Sequence, residues 1–135
     1  MVCMKLSPKE EFARELLSDA LKYSYKLEGS KLIKAREKIW QTWKKEIEEM
    51  VDVAIKIAKG FGFKHRIKIE DPDKKHPVEV IVSKFINLCT DSKQELDFQE
   101  FSNLYANEMP EIMRIMIAMA ETVVEEIYRI MLEKK

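Results

Sequence analysis

Two stretches of this chain place apolar residues at alternating steps of three and four, over lengths that few architectures can accept. In the first, Ile33, Trp40, Trp43, Ile47, Met50, Ala54 and Ile57 share one seam, and Arg36 fills its single polar slot. In the second, Met109, Met113, Met116, Ala120, Val123, Ile127 and Ile130 do the same. Such spacing keeps a continuous apolar stripe on one side of a helix. A helix from about Lys31 to Lys59 would be about 44 Å long. Only other helices of comparable length can cover a stripe of that shape, so helix-on-helix packing follows before any other feature is considered.

Local signals divide the chain. Ser7-Pro8-Lys9-Glu10 combines a capping serine, proline at the first helical position and glutamate at the third, the pattern of a capping box. Phe12, Leu16, Ala20, Tyr23 and Leu27 then mark one face of a first helix, which Gly29 ends; Ser30 caps the second helix and Gly60 stops it. Ser92-Lys93-Gln94-Glu95 reads as a second capping box, opening a helix with Phe98, Phe101 and Tyr105 on its buried stripe. Asn107 to Pro110 predicts a break or kink, because proline cannot supply the helical N–H.

Residues 61–90 carry two periods at once. Phe61, Phe63, His65, Ile67 and Ile69 alternate with polar residues, as do Val78, Val80 and Val82, so a short β-hairpin over 61–82 is the second reading. The preferred reading is an extended connection followed by a helix from Pro77, with Val78, Ile81, Val82, Phe85, Leu88 and Cys89 on its apolar face. The expectation is therefore one mainly α domain over 1–135, an antiparallel up-down bundle of about four helices, the last kinked near Pro110. In architecture, though in no motif, it is similar to docking bundles such as focal-adhesion-targeting domains.

Composition bounds what such a bundle can do. With 46% apolar and 36% charged residues, the chain has the apolar mass that disordered segments lack. Its 24 basic residues balance its 24 acidic ones, so no global affinity for polyanions follows. Three asparagines and three glutamines beside so many charges, with only three glycines, resemble hyperthermophile usage. Cys3 and Cys89 form no disulfide framework, and no segment reads as a signal peptide or membrane span. A cytoplasmic protein without membrane contact is expected.

Motifs for chemistry are scarce. Residues 89–100 resemble an EF-hand calcium loop at Asp91, Asp97, Phe98 and Glu100. However, Cys89, Lys93 and Gln94 stand where that loop needs an oxygen ligand, a second oxygen ligand and glycine, so no calcium site is expected. His65 and His76 lack the company that a zinc or di-metal bundle site requires. No phosphate-binding glycine loop, nucleophile elbow or HExxH occurs. Neither a catalytic residue nor a cofactor is expected, and the chain does not read as an enzyme.

Two surfaces remain. Between Met109 and Val124, eleven of sixteen residues are apolar, more than one core-facing stripe needs. Ile112, Ile115 and Met119 lie off the seam, and a second copy of the chain is the expected cover for that flank, giving a homodimer. The leading reading is thus a self-associating protein–protein interaction module that also offers a surface to another protein. The alternative is a small nucleic-acid-associated subunit. From Lys22 to Lys45 there are eight basic residues against Glu28 and Glu37, and Lys31, Lys34, Lys38, Lys44 and Lys45 are its candidate contacts. Tyr23, Tyr25, Trp40 and Trp43 are nearby candidates for base stacking.

Overall fold

The computed structural model describes residues 7–133, in which five α-helices and two short strands occur: α1 (Pro8–Ser24), α2 (Gly29–Lys59), β1 (Arg66–Ile67), α3 (Pro77–Leu88), β2 (Glu95–Leu96), α4 (Phe98–Leu104) and α5 (Met109–Glu133). The protein is mainly helical, as expected. It divides into two compact units, one comprising the chain through Val51 and from Ala120 onward, the other Asp52–Met119. Helices α2 and α5 each run through both.

In the first unit, the Ser7 hydroxyl accepts from the Glu10 N–H at 3.2 Å and Pro8 occupies the first turn, so α1 starts where its capping box predicts. Phe12, Ala13, Leu16, Leu17, Ala20 and Leu21 are its buried face. The helix ends at Ser24, short of Leu27, because Lys26 takes a left-handed conformation (φ +56°). Gly29 (φ +58°) then begins α2, so Ser30 lies inside that helix. Arg14 pairs with Glu37, Arg36 Nη1 donates to Ser18 Oγ at 3.3 Å, and the Tyr25 hydroxyl donates to the Val124 carbonyl at 3.2 Å. These bonds tie α1 to both α2 and α5.

The second unit is organised around a ladder. β1 pairs with β2 in parallel, Arg66 opposite Glu95 and Ile67 opposite Leu96. No hairpin forms among the described residues: Val78, Val80 and Val82 belong to α3, which is the crossover between the two strands. Pro77 at the helix start and the His76 side chain, accepting from the Val78 N–H at 3.1 Å, decide that segment for helix. The second capping box does not form. Ser92 Oγ instead donates to the Lys64 carbonyl at 2.6 Å and accepts from the Gln94 N–H, and α4 begins six residues later with Asp97 as its cap. Phe63, Phe101 and Tyr105 pack in tilted and edge-on contacts with ring centroids 4.4 to 5.3 Å apart and close the unit's aromatic core. Pro110 lies in the first turn of α5, so it marks a helix start and not a kink.

Candidate functional site

The two seams predicted from spacing are only partly the buried ones. On α2, Trp40, Ile47 and Ala54 are buried, while Ile33 and Ile57 are exposed. On α5, the buried row is Ile112, Met116, Met119, Val123 and Ile127. Two of the three residues on the flank expected to face a second copy, Ile112 and Met119, are therefore core. Ile112 is fully buried, Met119 is 4% exposed, and Ile115 is half-buried. When eleven of sixteen residues are apolar, two adjacent rows both satisfy helical spacing, and the packing selects the row through Ile112 and Met119.

A partly open apolar surface does exist in the first unit, where Ile39, Trp43 and Met50 are half-buried. A groove of about 270 Å³ runs between α2 and α5. Its α2 wall is Ile39, Trp43, Glu46, Ile47 and Met50; its α5 wall is Thr122, Val123, Glu126, Ile127 and Arg129. The floor is apolar and the rim is charged, with Arg129 Nη1 3.1 Å from Glu126 Oε1. The Trp43 indole N–H is shielded from water and has no acceptor among the described residues. Trp43, Met50, Val123 and Ile127 are seam residues by sequence. What spacing does not reveal is that Trp43 and Met50 are only half-buried and open to the groove, whereas Val123 and Ile127 are buried at its floor.

The five lysines are not equivalent. All are exposed. Lys31, Lys34, Lys38 and Lys45 fall within an arc of about 60° on the helical wheel, while Lys44 is turned away by about 100°. Lys44 Nζ lies 3.8 Å from Glu10 Oε2. Trp40 is 5% exposed, with the Arg14 guanidinium 5.7 Å from its ring centroid. Trp43 walls the groove. Neither tryptophan is available for base stacking beside these lysines.

The calcium-like loop is committed to other bonds. Asp97 Oδ1 accepts from the Glu100 N–H at 2.7 Å as the cap of α4, which holds the Asp97 carboxyl below its ordinary range. Its hydrogen bond with Asp97 pushes Glu100 upward. His76 caps α3, and His65 Nδ1 lies 2.8 Å from the Tyr105 hydroxyl. Among the described residues, no three His, Cys, Asp or Glu side chains come together to hold a metal ion. Burial pushes the Cys89 thiol up to about 12, far from a reactive thiolate. No helix among the described residues is long and apolar enough to cross a membrane.

Compared with protein-family models, curated proteins and solved structures, the chain has no match.

Proposed function

We propose that the protein is a non-enzymatic interaction module that self-associates through the groove between α2 and α5. The observation that carries this reading is the groove itself, an open, apolar-floored trough of about 270 Å³ between two long helices. Soluble proteins usually cover contiguous apolar surface. A second copy suits it because the rim carries both signs of charge, Glu46 and Glu126 beside Arg129. A two-fold axis that brings Arg129 of one copy to Glu46 or Glu126 of the other would pair the rim's opposite charges twice. Each copy would contribute one α2–α5 pair, so the association would complete a four-helix bundle. In this reading the half-buried Ile39, Trp43 and Met50 carry the contact, with Val123 and Ile127 as the buried floor beneath them, and not Ile112, Ile115 and Met119.

Light scattering on the purified chain tests this. The wild type should be a dimer at high micromolar concentration. Met50→Glu, which charges a half-exposed wall residue, should yield a monomer with unchanged helical circular dichroism. A wild type that stays monomeric overturns the proposal, as does a Met50→Glu variant that stays dimeric.

A further inference from the structure

The lysine row on α2 gathers four basic side chains on one helical face of this charge-balanced chain. Arg14, Arg36, Lys44, Lys68, Arg114 and Arg129 each stand within ion-pair distance of a carboxylate. Lys31, Lys34, Lys38 and Lys45 pair with no carboxylate among the described residues, and all four are exposed. Between them on the same face stand Gln41 and Thr42, both exposed and uncharged. Glu49 is the first carboxylate to enter the arc, one turn beyond Lys45. The row is thus a straight line of positive charge about 21 Å long on a single helix.

We propose that this row is a sequence-independent contact for the phosphate backbone of a double-stranded nucleic acid. Duplex DNA presents one negative charge for about every 1.7 Å of its axis, so a 21 Å line of lysines meets phosphates along its whole length. The chemistry of the row selects among polyanions. It contains no aromatic side chain, so it offers no platform for unpaired bases, which disfavours a single strand. It contains no arginine to form a bidentate pair with a base edge, so it reads no sequence. It contains no apolar side chain to enter a bilayer, since α2 points Trp40, Ile47 and Ala54 into the protein. The contact is separate from the groove, whose residues lie outside this arc, and it does not depend on self-association.

Titrations of a fluorescent 30-base-pair duplex of arbitrary sequence test the proposal, at about 50 and 200 mM salt. Binding should be micromolar at the lower salt and weaken with a log–log slope of about −3, as expected for three to four neutralised phosphates. Changing the duplex sequence should alter nothing. Lys34→Glu with Lys38→Glu should weaken binding at least tenfold and flatten the slope. Lys74→Glu with Lys75→Glu, on an exposed turn elsewhere, should leave both unchanged. All four positions are exposed, so the variants should fold, and circular dichroism verifies it. Absence of duplex binding at low salt overturns the proposal. So does binding that ignores Lys34 and Lys38, tighter binding of the single strand, or tighter binding of phosphatidylserine vesicles at the same salt.

Discussion

The carboxamide of Asn87 takes the place of a neighbouring strand for Ile67. Its Oδ1 accepts from the Ile67 N–H at 2.7 Å, and its Nδ2 donates to the Ile67 carbonyl at 2.9 Å. On the other edge of β1, the Arg66 and Lys68 N–H groups donate to Gln94 and Leu96 of the β2 segment, each at 2.8 Å. A two-residue strand is thereby satisfied on both edges, one by backbone and one by a side chain from α3.

Asn87→Ala should leave both Ile67 groups without partners in a partly buried place, at about 1–3 kcal/mol for each group. Asn87→Asp should be no milder, since a carboxylate cannot donate and would face the Ile67 carbonyl. Urea denaturation should therefore show both variants destabilised by about 2–6 kcal/mol. A loss below about 0.5 kcal/mol would mean that the pairing carries little stability.

Asp19 on α1 should make stability depend on pH in mild acid. Burial first, and then the neighbouring Glu15, push its carboxyl from 3.8 up to about 6, against the opposing pull of Lys22. The folded state therefore holds this proton more tightly than the unfolded one. Its contribution is fully present below pH 4 and is lost as pH rises through 6. Asp19→Asn, which is never charged, should be more stable than wild type at pH 7.5 by about 1 kcal/mol, allowing for solvent that still reaches the group. The difference should disappear near pH 4. Denaturation curves at the two pH values measure it, and equal differences at both would refute the assignment.

Two residues of α5, a half-turn apart, should respond oppositely to charge. Ile117 is 54% exposed, and Met119 is buried. Ile117→Glu should shift stability by no more than about 0.5 kcal/mol. Met119→Glu would place a carboxylate in the core of the second unit and should abolish the cooperative melt. Thermal unfolding followed by circular dichroism distinguishes them. A folded Met119→Glu monomer would restore the flank through Ile112 and Met119 as an interface.

What could be read from sequence was what neighbouring residues decide. The Ser7 cap, the start of α3 at Pro77 and the end of α2 near Gly60 depend on side chains within one turn of the feature, and all three stand where expected. The parallel ladder escaped notice because Ile67 and Leu96 are distant in the chain and each strand is too short to show a period. Ser92 has the right neighbours for a cap, yet its hydroxyl bonds to the Lys64 carbonyl, a partner 28 residues away. Part of the candidate site was legible. The lysine row follows from helical spacing alone. The groove does not, because a seam residue that is covered and one that is left open look identical in sequence.

Both tryptophans of the chain, Trp40 and Trp43, belong to the first unit, and Cys89 belongs to the second. Helices fray at their ends, and neither α2 nor α5 has an end where one unit gives way to the other. Opening either unit alone would have to break backbone hydrogen bonds in mid-helix, or drag the adjoining turns along with it. Indole fluorescence and the slow alkylation of the buried Cys89 thiol should thus report the same unfolding event: an optical clock and a chemical clock coupled by two shared helices.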